Sequence, residues 1–412
     1  MNDATRTGHQ HHSGFELIDG SIAVGGVPLD RLAARVGSAP FFAYDRRLIS
    51  ERVESLRRTL PAEIHLSYAI KANPMPAVLQ HLSGLIDGFD VASAGELKLV
   101  LDTPMTPQRV SFAGPGKRPE ELRQAVAAGV TVNVESGHEL EKLAEAGENL
   151  GLVPRICLRI NPNFELRASG MRMGGGAQQF GIDMEAAPAL LRRCRDLGVD
   201  FQGFHVYAGS QNLNAEAICE TQGQIIDLAV SLAEHAPGPV RQLNMGGGFG
   251  IPYFPGNQEL DLAAVGDGLA ALMPGAKKSL PDATFILELG RYFVGEAGIY
   301  VCRIVDRKVS RDKIFLVTDG GLHHHLAASG NFGQVVRRNF PVAVGNRMDQ
   351  KSSETVSVVG CLCTPLDLLA DKVELPETEV GDFIVIFQSG AYAMSASPKD
   401  FLSHPQASEV LL

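Results

Sequence analysis

The chain has 412 residues, 45% of them hydrophobic, and its 47 acidic and 37 basic side chains give a formal net charge of −10. This length is too great for one ordinary domain and predicts two. No run of about 18 apolar residues and no basic, then apolar N-terminus is present, which argues against a membrane span and a signal peptide. The acidic balance argues against nucleic-acid binding. We therefore expect a cytoplasmic protein that contacts neither nucleic acid nor membrane.

The cysteines and the N-terminal histidines predict neither disulfides nor a metal site. Six cysteines are too few and too scattered for a disulfide framework, and the only close pair is Cys361 and Cys363. Reduced thiols are therefore expected. His9, His11 and His12 stand among Gln, Gly and Ser residues that give no scaffold for a metal, so residues 1–13 are predicted to be a flexible tail.

Short apolar strands alternate with amphipathic helical stretches such as 119–128 and 186–197, a pattern typical of parallel sheets. The predicted strands are 64–70, 88–92, 110–113, 131–134, 155–160, 203–207, 242–245 and 285–289. Eight such units predict a closed (β/α)8 TIM barrel. In this fold, function gathers at the C-terminal strand ends, and the loops after strands seven and eight commonly bind phosphate.

The sequence changes character after residue 300. Segments 301–308, 313–317, 354–359 and 382–387 are strand-like and separated by turns, which predicts a C-terminal β domain. Residues 15–24 mix apolar and polar side chains in rough alternation, and the region 14–37 is therefore predicted to join that domain. The predicted organisation is an α/β chain with a barrel at 38–300 and a β domain at 301–412.

Lys71 ends the first predicted strand, in the run Ser-Tyr-Ala-Ile-Lys-Ala-Asn-Pro. A lysine at a strand end directs its amine into the mouth of the sheet, and Asn73-Pro74 then stops the strand. This placement indicates a lysine used for chemistry. The alternative is an ordinary exposed lysine beyond a strand.

A glycine run follows the seventh predicted strand, from Asn244 to Gly250: Asn-Met-Gly-Gly-Gly-Phe-Gly. Absent side chains let a phosphate approach backbone N–H groups, so the run predicts a phosphate cradle; a flexible turn is the alternative. No Gly-Lys-Ser/Thr follows, and the first βα turn lacks a dinucleotide fingerprint. These absences argue against a nucleotide loop and a dehydrogenase.

Two more polar side chains lie at predicted strand ends. Glu288 is followed by Gly290 and Arg291, and a buried carboxylate there needs a cation, either Arg291 or the protonated ring nitrogen of a heteroaromatic cofactor. His205 lies in strand six, where an imidazole can stack on a ring or serve as a satisfied core residue. Lysine, glycines, carboxylate and imidazole on one rim together meet the needs of a pyridoxal phosphate site.

Over nearly its whole length the chain resembles the fold-type III pyridoxal-phosphate decarboxylases, which act on diaminopimelate, ornithine or arginine. The matching segments are Tyr68-Ala-Ile-Lys71-Ala-Asn, Phe89-Asp90-Val-Ala-Ser-Ala-Gly-Glu96, Gln179-Phe-Gly181, His205 with Gly209-Ser210, Gly246-Gly-Gly-Phe-Gly250, Glu288-Leu-Gly-Arg291, Cys363 with Asp367, and Gly390-Ala-Tyr392. The resemblance implies removal of the α-carboxylate of an amino acid. It also implies a homodimer whose two sites are each completed by the partner's C-terminal domain.

The resemblance also implies roles, position by position. Lys71 is the Schiff-base lysine, His205 the ring that stacks on the cofactor, and Glu288 the partner of the pyridine nitrogen. The implied cofactor-binding set is Lys71, Asp90, His205, Ser210, Gly247, Gly248, Glu288, Gly290, Arg291 and Tyr392. The implied substrate contacts are Arg291, Cys363, Thr364 and Tyr392. Cys363 from the other subunit, or Lys71, returns a proton to the α-carbon.

Three departures from the family pattern bear on the substrate. At the cysteine motif this chain has Cys363-Thr364-Pro365-Leu366-Asp367, whereas the resemblance to diaminopimelate decarboxylases implies Cys-Glu-Ser-x-Asp. The glutamate that contacts the distal ammonium of the substrate is therefore lost. Loss of one partner of a buried charge pair typically costs about 2–5 kcal/mol. The segment 319–333 lacks the family's Arg-Pro-x-Leu-Tyr, whose arginine binds the distal carboxylate. Two residues are inserted between His205 and Gly209 relative to the family's His-x-Gly-Ser.

The combination of Cys-Thr-Pro-Leu-Asp with His323-His324-His325-Leu-Ala-Ala-Ser-Gly-Asn-Phe-Gly resembles a subgroup found with exopolysaccharide systems and near decarboxylases of carrier-protein-tethered glutamate. A tethered substrate has no free distal carboxylate, which explains the missing arginine. Consecutive histidines on a regular element cannot all bind one ion, so no metal is predicted. Tyr207, Met171 and Met173 are possible pocket liners, with packing as the alternative.

Two other classes of pyridoxal-phosphate protein on the same fold are alternatives to a decarboxylase. One is an amino-acid racemase of this fold, in which the family pattern has an arginine facing the pyridine nitrogen. Glu288 at that position argues against a racemase. The other is a non-catalytic pyridoxal-phosphate carrier, a class of protein that consists of the barrel alone. The predicted C-terminal β domain and Cys363 argue against a carrier. A true diaminopimelate decarboxylase of lysine biosynthesis stays open as the alternative substrate assignment.

Overall fold

The computed structural model describes residues 14–165, 170–172, 174–254, 256–334 and 336–412. The chain divides into two compact units. Of these described residues, the barrel unit holds those within Arg52–Ile251 and Gln258–Tyr292, and the β unit holds those within 14–51, Pro252–Asn257 and Phe293–Leu412. The predicted tail, residues 1–13, and Met173 lie outside the described residues. None of the described helices has the length and hydropathy needed to cross a membrane.

Eight parallel strands close into a barrel in the barrel unit. They are β1 (Ile64–Ala69), β2 (Gly88–Val91), β3 (Val110–Phe112), β4 (Thr131–Val134), β5 (Arg155–Asn161), β6 (Asp200–His205), β7 (Gln242–Gly247) and β8 (Thr284–Leu289). Each strand pairs with the next, and β8 pairs with β1, so the sheet has no open edge. The predicted (β/α)8 barrel is confirmed, with β6 beginning three residues earlier than expected.

The connections between strands are largely helical, and their ends follow ordinary capping chemistry. The helices of the described residues are Leu29–Val36, Arg46–Thr59, Pro76–Ser83, Ala94–Leu101, Pro119–Ala128, Gly137–Leu150, Ala187–Leu197, Ala215–Ala233, Leu262–Ser279 and Arg291–Val294, with 3-10 turns at Ile70–Ala72, Pro107–Arg109, Gly295–Ala297 and Phe401–Ser403. Ser93 and Ser136 each accept a backbone N–H of the first helical turn at 3.1 Å. Gly129 and Gly198 end their helices in the left-handed conformation that glycine favours.

The β unit is built mainly of antiparallel strands. Its larger sheet runs in the order Val342–Val344, Phe383–Ile386, Gly298–Ser310, Lys313–Thr318, Glu354–Val359 and Leu368–Leu375. Phe41–Tyr44 pairs with both Gly298–Ser310 and Ser408–Leu411. A separate sheet joins Glu16–Ile18, Ser21–Val24 and Val27–Pro28. The barrel unit adds the small pair Met171–Arg172 and Gly209–Ser210, and Ile182–Asp183 beside β5.

The N-terminal segment packs into the core of the β unit. Ile22 and Leu29 are fully buried against Val301 and Val385, and the Ile22 N–H donates to Gly345 O at 2.8 Å. Burial of such aliphatic side chains is the main stabilising contribution here. The domain boundaries 14–37, 38–300 and 301–412 inferred from the sequence stay predictions.

Candidate active site

The amine at the C-terminal rim of the barrel comes from Lys71. β1 runs directly into the 3-10 turn Ile70–Ala72, which carries the lysine. The exit of this turn is fixed because the Tyr68 hydroxyl donates to the carbonyl oxygen of Asn73 at 3.0 Å. The Lys71 side chain is 42% exposed, although its two chain neighbours are buried. The amine is therefore accessible to a ligand at the barrel mouth.

Glu288, near the end of β8, places a carboxylate beside this amine. Its Oε1 lies 3.7 Å from Lys71 Nζ, and Asn244 Nδ2 donates to its Oε2 at 3.2 Å. The side chain is only 4% exposed. Burial raises the pKa of Glu288, but the contact with His205 and the charge of Lys71 outweigh burial and lower the pKa to about 2. The carboxylate is therefore ionised at neutral pH.

His205, the last residue of β6, is enclosed in the barrel wall. Its Nε2 lies 3.1 Å from Glu288 Oε2, but neither ring nitrogen is aligned for a hydrogen bond with a described residue. The side chain is 2% exposed. Burial lowers the pKa of His205, against the opposing influence of Glu288. A neutral imidazole therefore lies against the Glu288 carboxylate.

Asp90, on β2, is a second buried carboxyl group. It accepts hydrogen bonds from Ser67 on β1 and Ser111 on β3. Burial and then the negative charge of Glu288 raise the pKa of Asp90 to about 7. Near neutral pH, Glu288 therefore carries the negative charge, while Asp90 is close to its titration midpoint.

The glycine run after β7 has backbone conformations that a side chain would disturb. Gly246 and Gly248 have φ values of 64° and 75°, in the left-handed region. A Cβ on Gly247 would lie 2.5 Å from the carbonyl oxygen of Glu288. Asn244 Oδ1 accepts the Gly246 N–H at 2.9 Å and so ties the run to β7. The run presents backbone rather than side chains at the expected phosphate corner of the barrel.

Tyr207 lies between the lysine and the glycine run. Lys71 Nζ is 5.6 Å from the centre of the Tyr207 ring. A Cβ on Gly246 would lie 3.1 Å from Tyr207 Cδ2, so the ring packs directly over that glycine. The side chain is partly exposed. From the sequence, Tyr207 is only a possible pocket liner. Its position two residues before Gly209-Ser210 is the signal that would have marked it.

The remaining predicted barrel residues flank this rim. Ser210 pairs with Met171 in a two-stranded ribbon and is half-buried. Gly290 directly follows β8, and Arg291 begins the short helix Arg291–Val294. Asn244, which sequence reasoning missed, supports Glu288 from β7. The signal for it was a polar residue within an apolar strand just before the glycine run.

The predicted substrate residues Cys363 and Thr364 lie on a tight turn in the β unit. Cys363 is exposed and Thr364 is half-buried. The buried Asp367 carboxylate braces the turn, because it accepts the backbone N–H groups of Leu322 at 2.6 Å and Leu362 at 2.8 Å. In the same unit, Tyr392 has a left-handed φ of 57°. The turn thus presents a thiol to solvent on a rigid base.

The three consecutive histidines are buried in the β unit. His324 Nδ1 lies 3.1 Å from the Tyr300 hydroxyl, and His325 Nε2 lies 2.9 Å from Ser389 Oγ. Burial lowers the pKa of His323 to about 4 and that of His325 to about 3. The described residues contain no group of three His, Cys, Asp or Glu side chains arranged to hold a metal ion. These rings are therefore neutral packing elements at pH 7.

A cavity of about 210 Å³ lies elsewhere, inside the N-terminal half of the barrel. Its lining includes the strand starts at His65, Gln242 and Thr284, and Asp90 and Asn244 form part of its wall. Catalytic residues of this fold come from the opposite, C-terminal strand ends. We therefore place the active site at the Lys71 rim rather than in this cavity.

The residues of the rim fit pyridoxal phosphate. An accessible lysine amine suits its aldehyde, an ionised and buried carboxylate suits a protonated pyridine nitrogen, and glycines with positive φ suit a phosphate. Residues 46–295 match the model of the family described as pyridoxal-dependent decarboxylase, pyridoxal binding domain. The chain belongs to the pyridoxal-dependent decarboxylases.

Relatives cover nearly the whole chain. The L-glutamyl-[BtrI acyl-carrier protein] decarboxylase of Niallia circulans is 37% identical over 90% of this chain and 88% of its own length. The diaminopimelate decarboxylase of Aquifex aeolicus is 30% identical over 97% and 92%. The crystal structure of diaminopimelate decarboxylase from M. jannaschii in complex with L-lysine has a TM-score of 0.87, with 25% identity over 97% and 93% of the two chains.

These findings confirm the predicted class. The protein is a pyridoxal-phosphate-dependent decarboxylase, a carbon–carbon lyase that acts on an amino-acid group, with a barrel followed by a β domain. The predicted resemblance to decarboxylases of carrier-tethered glutamate is confirmed as well. The roles of individual side chains are untested and stay predictions.

Proposed function

We propose that this decarboxylase acts on an amino acid tethered through its distal carboxyl group to a carrier protein. The observation that carries the proposal is the loss of charge on the substrate side. Segment 319–333 contains no lysine or arginine, and the neutral rings of His323 and His325 are buried within it. Such a segment provides no cation for a free distal carboxylate. The relative that acts on L-glutamyl-carrier protein supports the same assignment.

At the barrel rim, the proposed roles follow from the geometry. Lys71 holds the cofactor covalently through its accessible amine. Glu288, kept ionised and dry, keeps the pyridine nitrogen protonated, and Asn244 orients its carboxylate. When bound, pyridoxal phosphate supplies the electron sink for the electron pair left as the α-carboxylate departs.

The remaining predicted contacts complete the proposed site. The family resemblance assigns phosphate binding to Gly247, Gly248, Ser210 and Tyr392. Arg291 and Gly290 border the cofactor, and Asp90, on β2, belongs to the same set, near enough to Glu288 for the Glu288 charge to raise its pKa. Tyr392, Arg291 and Thr364 also contact the substrate. These roles come from the family resemblance and are supported by the positions of the barrel residues around one rim.

We further propose a homodimer. Cys363 is exposed on a braced turn, and the family resemblance implies that this turn contributes to the active site of a second copy. There the thiol, or the Lys71 amine, returns a proton to the α-carbon after carbon dioxide leaves. Sedimentation velocity of the holoenzyme tests the dimer. Mixing Lys71→Ala with Cys363→Ala protein tests the sharing, because mixed dimers regain one complete site.

The substrate is tested by release of carbon dioxide from cofactor-loaded protein. Free meso-diaminopimelate, ornithine, arginine, lysine and glutamate are compared with glutamate tethered to a carrier protein. Release from the tethered substrate alone supports the proposal. Rapid release from free diaminopimelate would overturn it and favour the second candidate, a true diaminopimelate decarboxylase, which the 30% identity to the Aquifex aeolicus enzyme supports.

A further inference from the structure

We propose that Tyr207, and not His205, is the aromatic side chain that packs against the pyridine ring of the cofactor. The inference rests on the proposed function only in that Lys71 holds the cofactor. It assigns the enclosed imidazole of His205 a different role, as the neutral support of Glu288. It reverses the assignment that the sequence resemblance suggests for His205.

The first argument is burial. A ring that stacks on a ligand must present a face to the site before the ligand binds. The His205 side chain is 2% exposed, and its Nε2 faces the Glu288 carboxylate at 3.1 Å. The charges of Arg159 and Glu135 also act on this ring from within the barrel. His205 is therefore enclosed by the wall of the barrel and offers no open face at the rim.

The second argument is the position of Tyr207. β6 ends at His205, so Tyr207 lies beyond the wall and is partly exposed. Its ring centre is 5.6 Å from Lys71 Nζ, and Gly246 packs against its Cδ2. Pyridoxal phosphate carries its aldehyde and its phosphate arm on neighbouring carbons of one ring. Tyr207 therefore lies near both places that those two groups are expected to occupy.

The third argument is the requirement for glycine at position 246. A Cβ there would lie 2.9 Å from the Val206 carbonyl oxygen and 3.1 Å from Tyr207 Cδ2. The glycine thus leaves room for the tyrosine ring beside the phosphate cradle. Counting back two residues from Gly209-Ser210 also reaches Tyr207, the position of the ring in the pattern His-x-Gly-Ser. The apparent two-residue insertion disappears once tyrosine takes this place.

The test measures cofactor release rather than turnover. Wild type and the variants Tyr207→Phe, Tyr207→Ala, His205→Gln and His65→Gln are loaded with cofactor, and its loss to an apoenzyme trap is followed by absorbance. Loss of one stacked ring is expected to speed release roughly three- to tenfold in Tyr207→Ala. Tyr207→Phe keeps the ring and stays within about twofold of wild type. His65, exposed at the start of β1, is the matched histidine control.

His205→Gln separates the two roles. It is expected to leave the release rate within about twofold of wild type, because no stacked face is lost. Since the imidazole no longer supports Glu288, the absorbance of the bound cofactor should change its pH dependence. Fast release from His205→Gln together with wild-type release from Tyr207→Ala would overturn the inference.

Two controls keep the outcome interpretable. The melting temperature of each apoprotein, compared with Tyr207→Phe, shows whether Tyr207→Ala has simply lost its fold. Failure of wild-type protein to retain cofactor in a Lys71-dependent manner would refute the proposed function itself. Retention by wild type with no effect of Tyr207→Ala would refute only the assignment of the stacking ring.

Discussion

The barrel rim around Lys71 and the region of the β unit around the Cys363 turn differ in the charge of their buried side chains. At the rim, an ionised Glu288 is kept dry beside Lys71, and Asn244 orients it. In the β unit, His323 and His325 are neutral, and the Asp367 carboxylate that braces the Cys363 turn accepts backbone N–H groups. Ionised side chains therefore lie at the rim that we propose binds the cofactor, and neutral rings lie in segment 319–333, which we propose faces the substrate.

The largest effect is expected from Lys71→Ala, which removes the covalent anchor. Turnover should fall below detection, and the absorbance of the lysine-bound cofactor should vanish. Spectra and carbon dioxide release of holo-protein check this, with Lys98→Ala, on a helix of the same barrel, as the matched control. Retained turnover and absorbance in Lys71→Ala would remove the rim from the mechanism.

Glu288→Gln should lower turnover by roughly 100- to 1,000-fold, the usual cost of removing one preorganised electrostatic group. The amide keeps the size of the side chain but cannot hold a proton on the pyridine nitrogen. Glu288→Asp should recover part of the loss because it restores the charge. Equal rates for the glutamine variant and wild type would contradict the assigned role.

The neutral histidines predict acid sensitivity of the β unit. Burial lowers the pKa of His325 from 6.5 to about 3, so the unfolded chain takes up a proton that the folded chain does not. Stability is therefore full above pH 6.5 and falls as the pH decreases toward 3. At pH 4.5 the loss is roughly 2–3 kcal/mol for one such ring.

Thermal or urea unfolding of wild type and His325→Gln between pH 7 and pH 4 measures this. The glutamine does not titrate, so its stability should depend less steeply on pH. Parallel pH profiles for the two proteins would show that His325 is not buried in its neutral form.

Asp90→Asn tests the second buried carboxyl group of the barrel, whose pKa is shifted in the opposite direction to that of Glu288. Burial and Glu288 raise the pKa of Asp90 from 3.8 to about 7, so its contribution to stability is lost as the pH rises through that range. The apoprotein of Asp90→Asn should therefore melt a few degrees above wild type at pH 8, with the difference shrinking toward pH 5. A lower melting temperature at pH 8 would mean that the ionised form is stabilised in the fold.

The smallest effect is expected from Thr364→Glu, which returns a carboxylate to the turn beside Cys363. It should raise the activity on free diaminopimelate relative to tethered glutamate by less than about tenfold, because segment 319–333 still lacks the arginine. Ratios of kcat/KM for the two substrates measure the change, and Thr364→Gln is the uncharged control. An unchanged ratio would place Thr364 away from the substrate.

The sequence by itself determined the barrel, the cofactor class and the reaction class. Strand alternation fixed eight βα units, and the strand-end positions of Lys71 and Glu288 with the glycine run between them predicted one shared rim, since parallel strands end on the same face. Local pattern suffices for these features because each depends on spacing along one strand and its following loop.

Only the tertiary structure decided which ring is open and which is enclosed. His205 and Tyr207 are two residues apart, and although Tyr207 stands two residues before Gly209-Ser210, only the fold shows that the first faces Glu288 while the second packs over Gly246. The neutral state of His325 comes from its burial in the folded β unit, and the raised pKa of Asp90 comes from burial and from the charge of Glu288, 198 residues away. Burial and charge depend on which distant strands lie side by side, and a chain fixes that only once it has folded.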